Sequence, residues 1–212
     1  MTPNQSGMDS PGKAETQRAA GTRVASEQCE SSQFKARPLR PVAGGGERSW
    51  AFVVLPRETS AKLKRRGRTT VSVTMNGHRF IAMLEPDGCK SHWLRIDDAE
   101  LQSAKAEIGR EAQFEIAALD REPEPKVPED LADALSAAPA SQATWIATTT
   151  IARIDWIHWI VSAKQARTRT KRIHDACAML ASGKKRVCCF DPSGFYSKAF
   201  SAPAAAKARA ER

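Results

Sequence analysis

Hydrophobic and polar residues alternate along the first half of the chain. Val71, Val73 and Met75 are apolar, and polar side chains stand between them. Because neighbouring side chains of a strand point to opposite faces of a sheet, this alternation indicates strands with one buried face. Further short runs of this kind, with turns between them, predict a small β-barrel over residues 33–120.

Two of the alternating runs are joined by Asn76-Gly77, and Phe80 and Leu84 continue the alternation on the far side. Both turn residues tolerate the positive φ angles that a two-residue hairpin turn requires. The pattern therefore predicts a β-hairpin centred on this dipeptide. A short helix over residues 57–66, ended by Gly67, is expected before the hairpin.

The period changes to that of α-helices at Pro128. Ile154, Ile157, His158 and Val161 are spaced at i, i+3, i+4 and i+7, so one helical face would carry all four. Proline suits a first helical turn, which supports a helix start at this point. The sequence thus predicts a small all-α domain over residues 128–186. Its later helices are expected over residues 142–147, 151–165 and 168–182.

Polar segments flank and separate the two predicted domains. Residues 121–127 form a charged, proline-containing linker, which should be stiff and extended. Residues 1–32 hold almost no large apolar side chains and are predicted to be a disordered tail. Residues 187–212 end in an Ala/Lys/Arg-rich stretch and are expected to be mostly flexible. The predicted fold class is α+β.

Composition and charge narrow the class of protein. The net charge is +9, from 33 basic and 24 acidic residues, which favours encounters with polyanions or acidic surfaces. The sequence has no apolar run long enough for a membrane span and no apolar stretch near its start that resembles a signal peptide. We therefore expect a cytoplasmic protein, whose five cysteines, an odd number, are reduced thiols.

Motifs in both halves resemble one bacterial family. Residues 50–56, Trp-Ala-Phe-Val-Val-Leu-Pro, followed by Asn76-Gly77, look like the N-terminal domain of the bacteriocin-protection (YdeI/OmpD-associated) family. Residues 127–131, Val-Pro-Glu-Asp-Leu, look like the opening of that family's OmpD-associated helical domain. Trp159-Ile160 and Lys171-Arg172-Ile173 look like its centre. The order and spacing of these motifs carry the resemblance over about residues 33–186.

The resemblance implies a fold and a broad role. The N-terminal domain is expected to be a domain of unknown function with a double-split β-barrel, an architecture shared loosely with AbrB-type transcription-factor domains. The family name points to tolerance of bacteriocins or cationic peptides and to a link with a porin. The resemblance implies no catalytic residues and no cofactor.

The densest positive charge lies between residues 164 and 186, where eight basic residues stand against the single acid Asp175. These side chains could contact phosphates, on nucleic acid or on lipid headgroups. They could equally form a solvated helix face, with Lys171 and Asp175 paired four residues apart. The candidate partner- or polyanion-binding residues are Lys164, Arg167, Arg169, Lys171, Arg172, Lys184, Lys185 and Arg186.

The helix boundary decides how this cluster is arranged. Lys164, Arg167 and Lys171 would share one face of a helix that continues through Ala166. Thr168 could instead cap a new helix and bend the line of charges.

A second basic cluster and a group of aromatic residues are further candidates. Basic residues crowd positions 62–68, between two predicted strands. The loose resemblance to AbrB-type domains implies that they could bind DNA; they could also lie on a solvated connecting helix. Trp156 and Trp159 could line a ligand groove or stack bases, or could pack in the core of the helical domain. We interpret His158, between them, as a core residue. The second cluster comprises Lys62, Lys64, Arg65, Arg66 and Arg68.

Catalytic and metal-binding signatures are scarce. Cys89 and His92 form a C-x-x-H fragment, but no second half with zinc-ligand spacing accompanies it. We expect His92 to be a hydrogen-bonded residue at the start of a strand. The motifs of nucleotide-binding loops, metalloproteases and serine hydrolases are missing from the sequence. No metal, cofactor or catalytic residue is predicted.

These observations favour a non-enzymatic interaction protein with a role in stress tolerance. Its expected partner is an unknown protein or an acidic surface. The first alternative is a nucleic-acid-binding regulator that uses the basic helices. The second alternative is an enzyme whose catalytic residues come together from distant parts of the sequence.

Overall fold

A computed structural model describes residues 31–42 and 50–206 of the chain. The predicted disordered tail lies outside this part, except for its last two residues, Ser31 and Ser32, which open the first strand. The fold is α+β, as predicted, with strands in the first half and helices in the second.

Six strands of the described part form one antiparallel sheet in the order β1-β6-β3-β4-β5-β2. The sheet curls into a half-barrel. Leu39, just after β1, forms a bridge with Phe52 of β2, so the curl brings the two edges of the sheet together. The strands are β1 (Ser31–Ala36), β2 (Trp50–Val54), β3 (Thr69–Met75), β4 (His78–Pro86), β5 (His92–Asp97) and β6 (Ala112–Ala118).

The predicted hairpin joins β3 to β4. Met75 stands opposite His78, and the two turn residues Asn76 and Gly77 have φ angles of 47° and 86°. Both angles are in the left-handed region, as a type I′ turn requires. The dipeptide therefore fixes the register of the two central strands.

Two short helices lie against the sheet. Helix α1 (Arg57–Ala61) is half as long as the helix expected over residues 57–66. Helix α2 (Asp98–Ser103) was not predicted, because Leu101 is its one buried residue and a single apolar position cannot show a helical period. Both helices connect strands of the half-barrel.

The half-barrel has its own hydrophobic core. Its fully buried side chains come from alternate positions of the strands, as the sequence pattern predicts. They include Val71, Val73 and Met75 of β3, which pack with Phe114 of β6 and Leu94 of β5.

The second half contains four further helices and a second core. Helix α3 begins directly after Pro128, where the change of period predicts it. Leu131, Trp156, Ile160 and Leu180 fill this core and are completely buried. The helices are α3 (Glu129–Ser136), α4 (Pro139–Ile146), α5 (Thr150–Val161) and α6 (Ala166–Ala181). None of the helices in the described ranges is both long and apolar enough to cross a membrane.

The linker between the two halves is held by two glutamates. Glu122 accepts a hydrogen bond from the backbone N–H of Thr70 at 2.8 Å and a second bond from the Thr70 hydroxyl. Glu124 pairs with Arg153 of α5 at 2.7 Å. One glutamate therefore anchors the linker to the barrel and the other anchors it to the helices.

The segment after α6, expected to be mostly flexible, contacts both cored halves as far as residue 206. Asp191 accepts hydrogen bonds from the backbone N–H groups of Ser193, Tyr196 and Ser197 and so closes a compact loop. The Phe200 ring packs edge-on against His158 of α5, with ring centroids 4.6 Å apart. The contact of Phe200 with His158 is long-range, and no local pattern in the sequence indicates it.

Gly88 allows the same segment to approach the barrel, and a pair of glycine variants tests this contact. Gly88 has a φ of 69°, and a Cβ atom there would overlap the carbonyl oxygen of Phe200. Gly88→Ala therefore combines backbone strain of roughly 1–2 kcal/mol with displacement of the segment. Gly77→Ala, at φ 86° with open space around it, carries the strain alone. We expect only Gly88→Ala to increase amide hydrogen exchange near Phe200, and equal exchange in the two variants would contradict the contact.

Candidate functional site

The structure divides the basic residues of 164–186 into two groups. Helix α5 ends at Val161 and α6 begins at Ala166, so Lys164 lies in the turn between them. The helix does not continue through Ala166; a new helix begins there, as the second alternative predicts, but Gln165 rather than Thr168 precedes it. Lys164 therefore does not share a helical face with Arg167 and Lys171.

Three of the eight basic residues form contacts with other residues of the helical domain. Arg169 donates two hydrogen bonds to Asp130, at 2.6 and 2.9 Å, and thereby joins α6 to α3. These bonds lower the pKa of the Asp130 carboxyl and raise that of Arg169. Lys171 pairs with Asp175 at 2.6 Å, as the solvated-face interpretation predicts. Arg172 donates to the carbonyl oxygen of Trp159 and lies over the Trp159 ring.

Five basic residues remain exposed, and none of their side chains forms a hydrogen bond or ion pair within residues 31–42 and 50–206. They stand at the two ends of α6, in the turn before the helix, in its first turn and in the loop that follows it. Since no carboxylate of the described residues forms an ion pair with them, they form the positive surface that a partner would meet first. They are Lys164, Arg167, Lys184, Lys185 and Arg186.

The second basic cluster, after α1, is also divided. Arg65 forms an ion pair with Asp155 of α5 at 2.8 Å, and Arg68 forms one with Glu85 of β4 at 2.7 Å. Lys62, Lys64 and Arg66 are exposed. The Arg65–Asp155 pair joins the barrel to the helical domain across 90 residues of sequence.

The two basic clusters meet at one cleft. Arg65 and Arg66 from the barrel and Arg186 from the loop after α6 line a cavity of about 340 Å³. Asp155 and Asp191 also line it. The clusters therefore share one face at this point, which the sequence alone could not show.

The pKa values of the two acids in the cleft are shifted in opposite directions. Burial raises the pKa of Asp155 and outweighs the opposing effects of Arg65, Arg186 and Arg68. At Asp191, partial desolvation works against ionisation, but hydrogen bonds from Ser193 and from neighbouring backbone groups lower the pKa to about 2. Hydrogen bonds within its own loop therefore stabilise the Asp191 charge, whereas burial disfavours the Asp155 charge and Arg65 partly compensates.

The tryptophan pair belongs largely to the core. Trp156 is completely buried, so the interpretation of Trp156 as a groove aromatic is wrong and the core alternative is correct. Its ring meets that of Trp159 edge-on at 6.1 Å. Trp159 is only half-buried, and the Arg172 guanidinium lies over its ring, 5.4 Å from the centroid.

The two histidines singled out in the sequence are both buried. The Nδ1 atom of His92 accepts from the Ser60 hydroxyl at 2.7 Å, and its Nε2 donates to the carbonyl oxygen of Gly67 at 3.1 Å, so the hydrogen-bonded role is confirmed. Cys89, in contrast, is exposed, and the two residues do not form a ligand pair. Neither ring nitrogen of His158 has a partner among the described residues, and burial lowers its pKa to about 3.

Sequence reasoning missed the acids of the cleft. Asp155 carries no local motif, and its pairing with Arg65 depends on the packing of α5 against the barrel. The loop at Asp191 could have been found, because Asp-Pro-Ser-Gly at residues 191–194 is a typical turn sequence.

Comparisons with known families match the two halves separately. Residues 34–116 match the model of a domain of unknown function (DUF1905). Residues 124–183 match the model of the family described as bacteriocin-protection, YdeI or OmpD-associated. The search of curated proteins found no match. The boundary between the two matches falls at the linker that Glu122 and Glu124 hold.

Proposed function

With a DUF1905 domain followed by a YdeI/OmpD-associated domain, the chain belongs to the bacteriocin-protection (YdeI/OmpD-associated) family, and from this premise we propose that it is a non-enzymatic interaction protein that contributes to tolerance of cationic antimicrobial peptides. The observation that carries the proposal is the unpaired positive charge at both ends of α6. We place the protein in the cytoplasm, where its exposed thiols Cys89, Cys188 and Cys189 would remain reduced.

Charge determines which kind of partner fits this role. A surface made of Lys164, Arg167, Lys184 and Lys185 repels a cationic peptide and attracts an acidic protein or acidic surface. Cationic peptides act on acidic targets for the same electrostatic reason. The protein would therefore act through an acidic partner rather than by binding the peptide itself.

A complementation assay with two charge-matched variants tests the proposal. The strain lacks its own copy of the protein and is challenged with a cationic peptide. The test variant changes Lys164, Arg167, Lys184 and Lys185 to Gln, which removes four charges without breaking any hydrogen bond or ion pair of the described chain. We expect it to protect no better than the empty vector. The control variant removes four exposed, unpaired charges elsewhere, at Arg57, Lys105, Arg121 and Lys126.

The control variant should protect like the wild type. Equal protection by the two variants would refute a role for the α6 charges. Arg169 and Arg172 are left unchanged, because their loss would disturb the packing of α6 against α3 and α5.

Nucleic-acid binding is the second candidate function, and the meeting of the two basic clusters at one face favours it. Each phosphate contact made by a basic side chain contributes about −0.9 to the slope of log affinity against log salt concentration for duplex DNA. Binding by the α6 charges thus predicts a steep slope for the wild type. The four-residue test variant should make this slope shallower by about 3–4, and the control variant should leave it unchanged. Affinity that is insensitive to salt would exclude this function.

A further inference from the structure

We propose that the cleft between the half-barrel and α5 binds the phosphate group of a small organic molecule. The proposal is independent of the tolerance role, because it involves Arg65, Arg66 and Arg186 and none of the four α6 charges tested above. Its cavity of about 340 Å³ is in the range of small-molecule sites.

The arrangement of the arginines favours a phosphate over other anions. Arg65 and Arg66 belong to the barrel side of the cleft and Arg186 to the helical side. A phosphate group carries oxygen atoms that point in several directions, so guanidinium groups from both sides can bind it together. The two oxygens of a carboxylate lie in one plane, which suits a single guanidinium.

One donor of the cleft still lacks an acceptor. The Nη2 atom of Arg65 donates to Asp155 at 2.8 Å, but its Nη1 atom is buried and has no hydrogen-bond partner among the described residues. A buried charged donor without an acceptor is unfavourable. Because Nη1 has almost no exposed surface, a bound phosphate would supply the missing acceptor once the guanidinium turns from Asp155 towards it, and this distinguishes the cleft from a solvated basic surface.

Asp155 holds Arg65 in place through this hydrogen bond. A largely buried carboxylate would be unfavourable alone, so the ion pair with Arg65 stabilises both residues. A bound phosphate competes with Asp155 for the same guanidinium. Removal of the Asp155 charge should therefore strengthen the binding of phosphate.

The walls of the cleft are tightly built. A Cβ atom at Gly67 would lie 2.8 Å from the Nη2 atom of Arg65 and 2.8 Å from the Cβ atom of Pro192. The loop that contains Pro192 is closed by the Asp191 hydrogen bonds, so the helical side of the cleft approaches the barrel closely. Because the site includes the segment after α6, it needs the whole chain and not the helices alone.

The rest of the lining determines what carries the phosphate. Ile151, Ala152 and Pro192 contribute apolar surface beside the arginines. Pockets that combine apolar walls with a few polar groups bind organic ligands oriented by those polar groups. The expected ligand is thus a phosphate monoester with a compact, partly apolar body.

Calorimetric titration of the full-length protein with phenyl phosphate tests the site. We expect saturable binding of one molecule per chain, with benzoate binding more weakly. Arg186→Gln, at an exposed residue with no hydrogen bond to lose, should weaken binding by about tenfold, the value of one charge-assisted hydrogen bond. Asp155→Asn should strengthen it several-fold.

Arg167→Gln is the matched control, because it removes the same charge from α6 outside the cleft. It should leave the binding of phenyl phosphate unchanged. Amide resonances of Gly67 and Ser193 should shift on titration of the wild type. The proposal is overturned if no saturable binding occurs, if benzoate binds as tightly, or if Arg167→Gln weakens binding as much as Arg186→Gln. Failure of the complementation assay would leave all of these outcomes unaffected.

Discussion

Replacement of Trp156 by alanine should lower the free energy of unfolding of the helical domain by about 3–5 kcal/mol. The side chain is completely buried at the centre of the second core, between α3, α5 and α6. Its loss leaves a large cavity that the surrounding Leu131, Ile160 and Leu180 cannot fill without rearrangement. The measurement is denaturant unfolding followed by circular dichroism.

In the same variant, the helical half should unfold more readily while the half-barrel keeps its stability. The buried side chains of the half-barrel and those of the helices form two distinct clusters, so the loss of Trp156 acts on only one of them. Hydrogen exchange should rise throughout α3 to α6 and stay low in β3, β4 and β6. A uniform rise across both halves would show that the chain unfolds as one unit.

Trp159→Ala is the control for this experiment. Trp159 lies on the same helix but is half-buried, so its removal creates a smaller cavity and should cost less stability. An equal loss in the two variants would mean that the Arg172–Trp159 contact contributes as much as core packing.

The sequence predicted those parts of the fold that local periodicity encodes. Alternation identified the strands around Val71 and Met75, and the change of period located the start of α3 at Pro128. Strand β1 was missed in part because Phe34 is its one large apolar residue. Short elements with one apolar side chain give no period to detect.

The candidate site was less predictable because its contacts join distant residues. Arg169 appeared to be a surface charge, but its partner Asp130 lies 39 positions earlier in the chain. Arg65 and Asp155 are 90 positions apart. Charge density in the sequence therefore located the basic segments but could not separate the cations that hold the fold together from those that are available to a partner.

The second large effect is a loss of folding stability at low pH. Burial lowers the pKa of His158 to about 3, and the nearby cations Arg68 and Arg172 act in the same direction. In the unfolded chain, the same ring takes up a proton near pH 6.5. Since the unfolded state binds the proton and the folded state does not, stability is fully present above about pH 6.5 and falls as the pH is lowered towards 3.

His158→Leu should remove most of this acid sensitivity. At about pH 4.5, two units below the unfolded pKa, the wild-type histidine costs roughly 2–3 kcal/mol that leucine does not. Neither ring nitrogen makes a hydrogen bond in the described chain, so the apolar variant should be at least as stable as the wild type at about pH 7.5. Its side chain keeps the apolar contacts with Phe190 and Phe200.

Denaturant unfolding at the two pH values measures the difference directly. His92, also buried with a lowered pKa, adds a residual loss of stability in acid that His158→Leu leaves in place. His174→Gln, at an exposed position of α6, is the control and should keep the wild-type pH dependence. The difference in unfolding free energy between His158→Leu and the wild type then measures the effect of the proton that the folded helical domain excludes. A difference that does not widen between about pH 7.5 and about pH 4.5 would mean that His158 takes up a proton in the folded state as readily as in the unfolded chain.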